Sequence, residues 1–342
     1  MTVTPATLRA LDDLTRDLAR LTDQRSDAIL AAYVAAWEEV EPGLTAAVVA
    51  ALASSTTGRI SRAALSRDRA LAAALEHART ALVRVSAETV RGIVSDLGPA
   101  VTGGHAGQAA VLATQLPPGT QVASPPATAL EEIMRRAAEQ IHKASWPIPA
   151  QQVAIMKAEL IRGVAAGANP RDTATRITRA TGDAFVGGWA RAENIARTET
   201  LDAFRRAQAA VDHANRSVVA EWVWLCALSP RSCPACIARH GTRHPIDEPG
   251  PEGHQRCRCA RMPVTRPWRD LGYDVDEPAD AIPDAGAWFE GLAPETQRHI
   301  LGPARYAAWV DGSYPMGEWA VKQANPGWRS SWVTSPVPLR AG

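Results

Sequence analysis

The sequence predicts a mainly α-helical chain, with a helical N-terminal bundle and a second helical block followed by a small α+β module with short strands. Three observations predict it. Apolar residues recur at three-four spacing through residues 8–97 and 129–214, the period of a helix with one buried face. Pro117, Pro118, Pro125 and Pro126 break that pattern and bar regular helix or sheet between the two helical parts. Four of the five cysteines crowd into Arg231–Pro263, behind a short alternating run that reads as a strand.

Taken in order, residues 8–36 carry Leu11, Leu14, Leu18, Leu21, Ala28, Ala32 and Ala35 on one stripe, and Pro42-Gly43 is expected to end that helix. A short helix is expected near Leu44–Ala53. A long one is expected over Ser61–Leu97, with Leu71, Leu75, Ala78, Leu82 and Val85 as its packing face, stopped by Gly98-Pro99. Residues 1–115 form the N-terminal helical region and 116–128 a Pro-rich linker, the expected domain boundary. Helices are expected at 129–144 and 150–166. Another begins at Asn169-Pro170, a capping residue followed by proline at the first helical position, and is expected to stop by Gly182. The next helix places Trp189, Ala192, Ala196, Thr200, Ala203, Ala207 and Val211 on a narrow stripe of mostly small residues, which lets a neighbour approach closely. Its other face pairs Glu193 with Arg197 and Asp202 with Arg206 at i, i+4. This helical block spans 129–215.

Residues 216–270 form the cysteine module. Trp222, Trp224 and Cys226 share one face of an expected buried strand, and Cys226 reads as a core thiol. Cys233-x2-Cys236 presents two thiols to one point. Cys257 and Cys259, two apart on a partner strand, share a face, and His254 lies one turn before them. Cys233, Cys236, His254, Cys257 and Cys259 are therefore five candidates for the four positions of a structural zinc that would staple the module. Disulfides are the competing reading, disfavoured in a reducing compartment. A catalytic zinc lacks its His-Glu-x-x-His helix here, and His240 and His244 read as loop residues. Eight arginines between Arg231 and Arg269 face only Asp247, Glu248 and Glu252. Arg256, Arg258 and Arg261 are the expected contact surface for an acidic protein face or for nucleic acid phosphates. Residues 271–342 make a Trp- and Pro-rich C-terminal region with one helical patch. The region ends in an extended arm bearing Trp328 and Trp332, to lie on a neighbour or along its own domain.

The composition, 46% hydrophobic and 21% charged, is that of a globular chain, and the net charge of +1 implies no whole-chain attraction to nucleic acid or membrane. The basic residues are nearly all arginine, with lysine only at 143, 157 and 322. The first residues lack a basic stretch followed by an apolar one, so the thiols are expected to be reduced and the protein to start in a cytoplasm. No apolar run approaches the ~18 residues that span a bilayer.

Three pieces then line up in order: Ala196–Thr200 (ARTET), the Trp…Cys-x2-Cys…His-x2-Cys-Arg-Cys…Pro module, and Gln-x2-Ile-Leu-Gly-x2-Arg at 297–305. Together they resemble the phage head morphogenesis family, the Mu F-like minor head proteins, over roughly 129–312. The family usually has an acidic residue and a threonine before its first cysteine pair; here the text is Leu228-Ser-Pro-Arg-Ser232. The resemblance implies a minor capsid protein of a tailed phage or prophage. Such a protein binds the portal, scaffold or major capsid (coat) protein during procapsid assembly in the host cytoplasm and is carried in the virion head near the portal. Packaged DNA is a further candidate partner and a membrane is not. No enzymatic activity is expected. The alternatives are a zinc-stabilised DNA nuclease using Asp212, His213 and Asn215, against which these residues read as the end of a packing helix, and a DNA-binding regulator, which near-neutral charge disfavours.

Overall fold

The structure, a computed structural model, describes residues 3–53, 67–145, 170–325 and 329–337. It is mainly helical with short antiparallel strands. Helices α1 (Pro5–Ala53), α2 (Arg69–Ser95), α3 (Leu97–Ala113), α4 (Ala127–Ser145) and α5 (Pro170–Ala214) come first. Then follow β1 (Val219–Leu225), α6 (Pro234–Arg239), β2 (Arg243–Pro245) and β3 (Ala260–Thr265). Helices α7 (Ala285–Glu290), α8 (Pro294–Leu301) and α9 (Pro303–Val310) precede a hairpin of β4 (Ala320–Gln323) and β5 (Ser331–Thr334). The helix expected at 150–166, the Asn169 cap and Trp328 lie outside the described residues.

The chain divides into two compact units that are each discontinuous in sequence. One comprises Leu21–Asp96 and Ala137–Glu199. In it α1 buries Ile29, Tyr33, Ala36, Val40, Leu44, Ala47, Val48 and Ala51, and α2 buries Leu71, Ala78, Leu82, Val85 and Ile93. Tyr33 and Ser86 share a hydrogen bond at 3.1 Å, and Arg25 grips both Asp96 oxygens at 2.6 and 2.8 Å. Two expected helix ends are corrected here. Helix α1 runs on through Pro42 to Ala53, so the short helix at 44–53 is its continuation. Proline costs one backbone hydrogen bond in a helix interior, but the buried stripe Val40–Leu44–Val48 continues across it. Helix α5 likewise passes Gly182 without a break. A Cβ at Gly182 would sit 3.3 Å from the Trp37 ring, whose centroid lies 5.5 Å from that of Phe185, one turn later, at a tilt of 54°. This glycine serves close packing rather than termination.

The other unit comprises Met1–Arg20, Leu97–Arg136 and Thr200–Gly342. Its three-stranded antiparallel sheet has the order β2-β1-β3, with Trp222 opposite His244 on one side and opposite Pro263 on the other. The pleat splits the sheet faces. Val223, Leu225, Met262 and Val264 pack with Leu11, Leu14 and Leu18 of α1, Val111 of α3, and Leu201 and Phe204 of α5. Trp222 and Trp224 face the other way, into a cluster with all five cysteines. The small-residue stripe is buried as expected: Ala203, Ala207 and Val211 are fully covered. The Pro-rich segment 116–128 has no regular structure before Ala127, yet it stays inside this unit and does not divide two bodies. Leu116 packs on Val219, and Asn215 holds the backbone of Ala123 through bonds of 2.8 and 2.9 Å. Helices α7–α9 wrap Phe289, which meets Trp309 and Trp319 edge-on at 5.1 and 4.8 Å.

Candidate metal centre

The site grows from the two ends of one loop. Cys233 caps α6: its Sγ accepts the Cys236 amide at 3.3 Å, and Pro234 at the first helical position fixes the turn. Cys236 thereby points to the same side as Cys233. The second half arrives through a turn of positive-φ backbone at Arg256 (φ 61°), with the Cys257 amide donating to the His254 carbonyl oxygen at 3.0 Å. Gly253 passes so close to Cys257 that any Cβ there would collide with its Sγ.

The five candidates fall into two overlapping groups. Cys233, Cys236 and His254 form one group whose ligand atoms lie within 4.8 Å of one another, and Cys236, Cys257 and Cys259 form a second. Cys236 belongs to both. Its Sγ lies 3.7 Å from Cys257 Sγ and 3.5 Å from His254 Nε2. With zinc–sulfur and zinc–nitrogen bonds of about 2.3 and 2.0–2.1 Å, a tetrahedron has edges of about 3.8 and 3.6 Å. Those two distances match such edges, so the cysteine and histidine groups could hold a metal of that kind. His254 Nδ1 donates to the Gln255 carbonyl oxygen at 2.7 Å, which makes Nε2 the nitrogen directed toward the thiols. Cys236, Cys257 and Cys259 are buried, while Cys233 and His254 are partly exposed.

The electrostatics are those of a crowded thiol cluster. Cys233 is lowered to about 5, first by its hydrogen bond with Cys236 and then by His254. His254 is raised to about 9, first by Cys233. Cys257 is drawn well below its ordinary value by hydrogen bonds from Cys236 and Cys259, and Cys236 is pushed up, first by its hydrogen bond with Cys233 and then by that with Cys257. Cys226, read as a core thiol, is buried beside the cluster and is lowered to about 7, chiefly by a hydrogen bond with Cys259.

Two aromatic residues roof the cluster. Trp224 lies in it, and Trp332 of β5 packs against it while its amide donates to the Glu252 carbonyl oxygen at 2.8 Å. The described part of the arm, residues 329–337, thus packs on its own chain. Arg239 is stacked between them, 4.2 Å over Trp332 and 5.6 Å from Trp224. His240 and His244 are structural: His240 contacts Cys226 backbone atoms and the Pro283 carbonyl oxygen, and His244 stacks on Trp222 at 4.2 Å.

One expected surface residue is corrected. Arg256 and Arg258 are exposed, but Arg261 is completely buried. Its Nε donates to Asp212 at 2.6 Å, its two terminal nitrogens donate to the Glu248 and Ile246 carbonyl oxygens at 3.0 and 2.9 Å, and the guanidinium lies 4.6 Å over Trp222. Asp212 is equally buried and also accepts from Gln108 at 2.7 Å. Burial pushes the Asp212 carboxyl up and the Arg261 guanidinium down, and each partner opposes the other's shift. Asp212 and Asn215 are thus packing residues, and His213 alone of the Asp-His…Asn spelling is exposed, 3.5 Å from Asp247. Arg205 was not singled out by the sequence: its guanidinium bonds the carbonyl oxygens of Cys257 and Cys259.

No curated protein and no solved structure matches the chain. Among the described residues, no helix is long and apolar enough to cross a membrane. Residues 154–262, which contain α5, β1, α6, β2 and the whole cysteine–histidine cluster, match the family described as phage Mu protein F like protein.

Proposed function

We propose that this chain is a non-enzymatic minor component of a tailed-phage or prophage head, working by binding the portal, scaffold or coat protein during procapsid assembly. The observation that carries this reading is that the phage Mu F-like match coincides with the cysteine module. In this reading Cys233, Cys236, His254, Cys257 and Cys259 supply the ligands of a zinc ion, whose chemistry is to fix a loop that has little regular structure of its own. Buried thiols roofed by Trp224 and Trp332 suit a structural ion. The nuclease alternative loses its support because Asp212 is spent on Arg261 and Asn215 on Ala123. In this reading Arg256 and Arg258, both exposed, would meet an acidic partner face or packaged DNA.

The test is to separate DNA-filled particles from free protein on a gradient after induction or infection, and to quantify this chain in both by mass spectrometry. A few copies per filled head are expected. A chain recovered wholly in the free fraction contradicts residence in the head.

A further inference from the structure

We infer that Arg205 is a positioning residue for the metal centre, a clamp through which helix α5 sets the placement of the Cys257-x-Cys259 ligands. The inference rests on the metal-centre reading. Arg205 lies on α5 and is partly buried. Its Nε and one terminal nitrogen meet the Cys259 carbonyl oxygen at 3.2 and 3.0 Å, and the same terminal nitrogen also bonds the Cys257 carbonyl oxygen. One planar group thus holds the backbone on both sides of Arg258. A guanidinium presents donors in a rigid fork, which two neighbouring carbonyls can engage together; an ammonium is a point donor on a flexible stem.

The held segment needs such a clamp. Residues 254–259 lie outside helix and strand, so nothing periodic sets where Cys257 and Cys259 point. Their side chains must nonetheless converge with Cys236 within 4.8 Å. Two turns further along α5, Asp212 takes Arg261 on the start of β3. The helix therefore grips the stretch 257–261 at both ends, from residues seven apart on one face. The guanidinium also brings a positive charge to a cluster whose bound form is anionic. Outer groups that orient ligands in this way typically contribute about 10- to 100-fold in metal affinity.

The test uses the purified full chain, zinc, and a chromophoric chelator as competitor, with cobalt(II) substitution as the spectroscopic probe. Arg205→Ala is expected to bind zinc about 10- to 100-fold more weakly than the parent chain and to shift the cobalt absorption bands. Arg205→Lys is expected to recover part of the loss. Arg206→Ala, which removes the neighbouring side chain paired with Asp202 at 2.8 Å, is expected to match the parent. Parent-like affinity and an unshifted cobalt spectrum in Arg205→Ala overturn the inference while leaving the metal centre standing. A parent chain that takes up neither metal overturns the centre and the inference together. If Arg205→Ala does not fold, Arg205→Lys decides: an unchanged affinity and spectrum overturn the clamp, and a weaker, shifted site supports it.

Discussion

The Arg261 guanidinium meets the Asp212 carboxylate at 2.6 Å, and neither side chain reaches solvent. A buried pair of this kind is costly to break from one side, because the surviving charge keeps its burial and loses its partner. Arg261→Ala is expected to destabilise this unit by about 3–5 kcal/mol, also freeing the Ile246 and Glu248 carbonyl oxygens. Chemical denaturation measures it. A midpoint equal to the parent's contradicts the buried pair.

Arg258 behaves differently because it is exposed. Arg258→Ala is expected to change stability by no more than about 0.5 kcal/mol. Any loss of partner or DNA binding in that variant then reports contact rather than folding. Thermal unfolding beside a salt-dependent binding assay separates the two.

The ligands should differ in rank. Cys236 belongs to both ligand groups, so Cys236→Ser is expected to abolish metal binding and the cooperative unfolding of residues 216–270. Cys226 lies outside both groups, and Cys226→Ser is expected to keep the metal. Metal content and hydrogen exchange of the two variants check this. Retention of metal by Cys236→Ser would place the ligands elsewhere.

Acid should act on the metal-free and metal-bound chains in the same direction. Cys233, at about 5 against an ordinary 9.0, adds stability that is present above 9.0 and lost as pH falls through about 5. His254, at about 9 against an ordinary 6.5, adds stability that is full below 6.5 and lost as pH rises through about 9. The two slopes offset each other between about 6.5 and 9, so the metal-free chain should weaken below that window. Zinc must displace the His254 proton at pH 7, so affinity should climb about tenfold per pH unit toward pH 9 for that proton alone. Titration against a chelator at several pH values reads the slope, and a flat profile contradicts His254 as a ligand.

The cysteine spacing made the thiol–histidine cluster legible, because two thiols at x2 spacing and two at x1 spacing leave few other uses. The alternation around Trp222 and Trp224 gave the sheet its correct faces. What stayed hidden were partners distant in sequence. The eight arginines around the cysteines looked like surface charge, and only Asp212, 49 positions before Arg261, turned one of them inward. Arg205 stood beside Arg206 with nothing local to distinguish it, since its acceptors are backbone oxygens 52 and 54 positions away. Pro42 and Gly182 looked like helix ends because turn rules weigh them alone, whereas the stripe Val40–Leu44–Val48 carries the helix past Pro42 and the Trp37 ring that packs on Gly182 is distant in sequence.

The most direct measurement is native mass spectrometry of the freshly purified chain, before and after chelation, paired with thermal unfolding. The account predicts one zinc ion per chain, lost on chelation together with the high-temperature transition of the cysteine module. A chain that carries no metal as isolated, binds none when zinc is supplied, and unfolds identically with and without chelator would contradict it.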